Sequence, residues 1–126
     1  MDQPEAEVIY AAMRSAAEEE PRLKALLAAV IDGAVRYARL RTDWALVSAT
    51  IADRDDAQKR ADLDRRRTQA HDAFIDACNI LSRQMQNLEM TTEWRGRLGD
   101  HRTTEGRKRI GDFACFVHCF VGLSAR

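Results

Sequence analysis

Almost nothing in this chain would stop a helix. Proline occurs only at Pro4 and Pro21, whereas alanine occurs 20 times in 126 residues. Proline is the worst residue for a helix interior and alanine the best, so the sequence predicts helix nearly throughout. A chain of this length suits one domain, here residues 1–126. Asp2 and Pro4 suit a cap and a first turn, and Ile9, Met13 and Ala16 follow at helical spacing. Glu18, Glu19, Glu20 and Pro21 close that helix and open the next, where negative charge complements the helix dipole.

The second helix is expected to be long. Leu23, Leu27, Val30, Ala34, Tyr37, Trp44, Val47 and Ile51 step by threes and fours, with Arg41 interrupting and Gly33 offering a close crossing. A break at Asp53–Asp56 leads into a third helix from about Asp55 to about Met90. Its apolar stripe is clear only in the second half, at Phe74, Cys78, Leu81, Met85 and Leu88. In the first half the same face carries Arg60, Asp64, Arg67 and His71. Residues 91–106, with two Thr-Thr pairs and three glycines, read as a loop. Thr103 or Thr104 can cap a last helix that runs to about Leu123 and carries Ile110, Phe113, Ala114, Val117, Phe120 and Val121. Phe74, Leu81, Val117 and Phe120 are expected in the core.

These elements predict an all-α bundle of about four helices. Two long central helices form an antiparallel hairpin, and the first and last helices are shorter. The short outer helices cannot cover the whole hairpin, so a homodimer is expected, two-fold dimers being the commonest oligomers.

Composition removes several classes of function. The formal net charge is zero, which does not indicate a nucleic-acid partner, although it leaves one open. The charge is nevertheless uneven. Residues 1–20 hold six acids against one arginine, and residues 95–109 hold six basic residues against two acids. No apolar run is long enough to span a membrane, the N-terminus lacks a signal-peptide pattern, and a cytoplasmic protein is expected. Cys78, Cys115 and Cys119 read as reduced, buried thiols in apolar surroundings. Cys115, His118 and Cys119 share one helix, but the segment's apolar neighbours favour core packing. No metal and no cofactor are expected.

The polar half of the third helix is the best place for a site. Burying such groups unpaired costs several kcal/mol, so partners or solvent must meet them. An antiparallel second helix brings Asp43, Trp44 and Ser48 opposite. The expectation is a polar cleft or ion-paired layer built from Trp44, Asp64, Arg67 and His71, with Arg66 at its rim and Asp43 as a further mate. Trp44 offers its ring face to an arginine. The cluster Arg65-Arg66-Arg67 fans around the helix and reads as a solvated face with Asp62 and Asp64.

Two resemblances bear on this region. Arg66 and His71 form an R-x4-H pattern, with Arg95 and His101 as a looser R-x5-H form. The pattern resembles that of the HEPN-type helical ribonuclease toxins, where the pair implies action on a phosphodiester in a dimer cleft. This chain departs from it in the motif's early position and in Arg67 following Arg66. The stretch Asp64–Ile75 with Asn79, Leu81 and Arg83, and later Arg109–Ala114, is similar to a small uncharacterised bacterial family of all-helical proteins, which implies no activity. With no clear catalytic constellation, the residues point to a non-enzymatic interaction or structural protein that self-associates. The alternative is an RNA-binding or RNA-cleaving protein using Arg66 and His71.

Overall fold

A computed structural model describes residues 1–49 and 54–122. The described chain is all-α: α1 (Gln3–Glu19), α2 (Lys24–Ala49), α3 (Arg54–Asn87), α4 (Glu93–Leu98) and α5 (Thr104–Phe120). A 3-10 turn at Pro21–Leu23 joins α1 to α2. Proline at the turn's first position gives up only an amide that had no partner to lose. The helix starts are capped as the sequence suggests. Asp2 Oδ1 accepts from the Glu5 amide at 2.8 Å, and Thr103 Oγ1 accepts from the Gly106 amide at 2.9 Å. The bend that the sequence places at Asp53–Asp56 falls partly outside the described residues, as does Ile51.

α2 and α3 form the antiparallel hairpin. Their facing pairs run in opposite chain directions: Gly33 with Phe74, Tyr37 with His71, and Trp44 with Arg67. The glycine is needed for the crossing, since a Cβ at Gly33 would stand 3.3 Å from Phe74 Cα. α5 also lies antiparallel to α2, with Gly111 and Cys115 beside Arg41 and Gly122 against Val35. α1 packs across α2, α4 and α5. One core joins them, built on Ile9, Met13, Val30, Phe74, Leu81 and Phe113.

The structure corrects four expectations. Residues 91–106 are not wholly a loop, because α4 buries Trp94 and Leu98. Phe120 is 56% exposed. It stands about 60° around the axis from Val117, on the flank shared with Phe116 rather than on the buried stripe. Of the cysteines only Cys78 is buried; Cys115 is half-buried and Cys119 exposed. Asp43 does not face Arg67 or His71; it lines a groove with Asp32, Arg36, Arg39 and Arg66.

Among the described residues, no helix is long and apolar enough to cross a membrane. No group of three His, Cys, Asp or Glu side chains there is placed to hold a metal.

Candidate anion-binding cleft

α5 is 17 residues long and begins part-way along the 34-residue α3. Beyond its N-terminus the hairpin continues without it. At this step three helices meet around a cavity of about 450 Å³. α2 contributes Tyr37 and Arg41, α3 contributes Arg67, Thr68 and His71, and α5 contributes Thr104, Arg107 and Lys108. Among the described residues, no carboxylate lines it.

Each helix presents its side chains for a local reason. Arg67 and His71 are one turn apart on α3 and share a face, the one that carries Phe74 and Cys78 further on. Arg67 is held on two sides: its guanidinium lies 4.1 Å from the Trp44 ring centroid, and it donates to Asp64 Oδ1. Trp44 and Asp64 thus stand behind Arg67 rather than in the cavity wall.

His71 lies edge-on to Tyr37, with ring centroids 5.2 Å apart, and its side chain is 13% exposed. Nδ1 faces Asp72 Oδ1 at 3.1 Å, while the buried Nε2 has no hydrogen-bond partner among the described residues. The His101 ring stands 6.1 Å beyond it.

Arg41 reaches the cavity across α5. Its Nη1 donates to Cys115 Sγ at 3.6 Å, and its guanidinium stands 5.8 Å from the Tyr37 ring centroid. Gly111 makes room for it: a Cβ there would fall 2.4 Å from Arg41 Nη1. Burial raises the Tyr37 hydroxyl above its ordinary 10.0, against the opposing pull of Arg41, Arg67 and Arg107. Tyr37 therefore stays a neutral phenol, able to donate.

Arg41, Arg107 and Lys108 have no ion pair among the described residues. Arg67 alone of the four cations is compensated, by Asp64. The N-terminus of α5 adds its own partial positive charge at Thr104. Tyr37, Thr68 and Thr104 also line the cavity, with the Thr68 hydroxyl donating to the Asp64 carbonyl at 3.0 Å. The arrangement suits an anion, which would gain charge-assisted hydrogen bonds from several directions.

The structure brings Arg67 and His71 together but separates Arg66. Residues 66 and 71 lie about 140° apart around a helix. Arg66 accordingly faces the groove on the other side of the hairpin, 3.9 Å from Asp62, and is not at the rim of this cleft. Arg95 and His101 share a neighbouring shallow cavity, where Arg95 is bonded to Asn79 Oδ1 at 2.8 Å and the Gly99 carbonyl at 2.9 Å.

Tyr37, Arg41, Thr68, Thr104, Arg107 and Lys108 are the site residues that the sequence pattern did not single out. Two signals for them existed: a lone arginine inside the apolar stripe of α2, and the basic excess of residues 95–109. Compared with known family models, curated proteins and solved structures, the chain matches none.

Proposed function

We propose that the protein is a non-catalytic interaction protein that takes a phosphate-bearing ligand in the cleft between α2, α3 and α5. One observation carries the reading. Arg41, Arg107 and Lys108, none with a carboxylate partner among the described residues, line one cavity together with Tyr37 and Thr104. Bringing cations together without counter-charge costs free energy, and a bound anion would offset that cost. Arginine forks and a lysine point charge are the usual phosphate partners. The volume of about 450 Å³ would hold a compact ligand of nucleotide size.

Calorimetric titration with inorganic pyrophosphate tests the proposal. Wild type binds, and affinity falls as salt rises because the cleft is open to solvent. Arg107→Ala and Lys108→Ala each weaken binding about tenfold, the equivalent of one lost charge-assisted contact. Both side chains are exposed, so folding is unaffected. Equal affinity in wild type and in both variants would sink the reading.

A second reading takes RNA as the anion. It is favoured by His71 and Arg67 sharing the cleft wall, and the R-x4-H resemblance points the same way. Arg66 has no part in it within one chain, as it lies across the hairpin. Incubation with single-stranded RNA tests it: cleavage that disappears in His71→Ala supports it, and intact RNA excludes catalysis.

We infer as well that the chain acts as a homodimer. Exposed apolar side chains on α1 and α5 support this, rather than the uncovered far half of the hairpin.

A further inference from the structure

The far half of the hairpin is charged on its outside, with Lys59, Arg60, Asp62, Asp64, Arg65 and Arg66 all exposed. Such a surface is stable in water without a cover. Among the described residues of that half, Leu46 on α2 is the one exposed large apolar side chain, at 62%; the paired apolar surface lies elsewhere. Val8 on α1 is 51% exposed and Phe120 on α5 is 56% exposed. A groove of about 370 Å³ runs between these helices, lined by Glu7, Tyr10, Ala11, Arg14, Phe116 and Phe120. The rings of Phe116 and Phe120 stand 5.3 Å apart. A paired aromatic surface of this kind, bordered by charge, marks an interaction site.

The charges in the groove indicate what fits it. Glu7 and Arg14 are seven residues apart, so they lie on nearly the same side of α1, about 10.5 Å apart along the axis. Tyr10 and Ala11 stand midway. A two-fold axis through that midpoint exchanges position 7 with position 14. An antiparallel second copy of α1 would therefore set each Glu7 against the partner's Arg14, twice over, with the small Ala11 at the centre. A two-fold interface requires a self-complementary patch of this kind. Within one chain the two groups are only weakly held: Glu7 accepts from Gln3 at 3.3 Å, and Arg14 lies 3.8 Å from Glu18 and 6.0 Å from the Tyr10 ring centroid. Exposed contacts of this sort contribute little and exchange readily.

We propose that the α1/α5 groove is the docking face for a second copy of this chain, with α1 antiparallel to α1 and Glu7 paired with the partner's Arg14. The proposal rests on the self-association inferred above and adds the face and the register.

Light scattering on the full chain at a series of concentrations tests both. Wild type gives twice 14.3 kDa. Glu7→Arg and Arg14→Glu each place like charges together and weaken the dimer at least about tenfold. The double variant Glu7→Arg/Arg14→Glu restores opposite charges and recovers the wild-type Kd to within about threefold. Phe120→Glu abolishes pairing, while circular dichroism and pyrophosphate binding stay as in wild type, since all three positions are exposed and none lines the cleft. A wild-type mass of 14.3 kDa overturns self-association altogether. A dimer that none of the variants weakens overturns the face alone. Weakening by both single variants without recovery in the double overturns the antiparallel register.

Discussion

Arg41 interrupts an otherwise apolar stripe on α2, and its surroundings explain why it is tolerated. Its guanidinium passes over Gly111, where a Cβ would stand 2.4 Å from Nη1, to reach Cys115 and the Tyr37 ring. The glycine therefore serves the side chain opposite it. Gly111→Ala should displace the flexible end of Arg41 while leaving the helix intact, because alanine is favoured over glycine in a helix by about 1 kcal/mol. The expected outcome is unchanged or raised thermal stability, with pyrophosphate affinity about fivefold lower, roughly 1 kcal/mol. Unchanged affinity would remove Arg41 from the site.

Among the elements, α5 does two jobs with different faces. Ile110, Phe113, Ala114 and Val117 enter the core, while Phe116 and Phe120 stay on the flank. Its start is fixed by Gly106, where a Cβ would fall 1.8 Å from the Asp100 carbonyl oxygen, so only glycine lets the preceding loop close there. In that loop Arg102 donates hydrogen bonds that hold the Asp100 carboxyl down to about 2. On α3, Phe74 is fully buried between Tyr37 and Phe113, with centroids 6.3 Å from each. Phe74→Ala should cost about 3–5 kcal/mol in urea unfolding. Phe120→Ala should cost less than about 1 kcal/mol, because the ring is already in water or at an interface. A large loss at Phe120 in the monomer would contradict its exposure.

At the scale of the whole molecule, a buried thiol links stability to pH. Burial in the core pushes Cys78 up to about 12 from its ordinary 9.0, with Arg95 pulling weakly the other way. The unfolded chain releases this proton near pH 9 and the folded chain does not. Stability is therefore fully present below about pH 9 and falls as pH rises toward about 12, by at most about 4 kcal/mol. Tyr37, also raised by burial, acts in the same direction. Urea midpoints measured from neutral pH upward should decline, and Cys78→Ala should flatten part of that decline. Equal slopes in both proteins would show that Cys78 is not the linked group. The unequal helix lengths, which from the sequence suggested a second copy lying along the hairpin, resolve at this scale into a step. α5 starts only part-way along the hairpin, and the step is the cleft.

Local information sufficed for the helices. Scarce proline, abundant alanine, caps at Asp2 and Thr103 and apolar steps of three and four depend only on neighbours along the chain, and they produced four of the five described helices. The contact of Trp44 with Arg67 followed from an antiparallel hairpin alone, since its register is set by two adjacent elements, and that of Arg67 with Asp64 from one turn of α3. α4 escaped because six residues are too few to show a period; it is held by burying Trp94 and Leu98 against the rest of the fold. The cleft escaped for a different reason. Arg41, Arg67 and Arg107 come from three helices spread over more than half of the chain. Only the point at which α5 begins against α2 and α3 decides that they share a cavity.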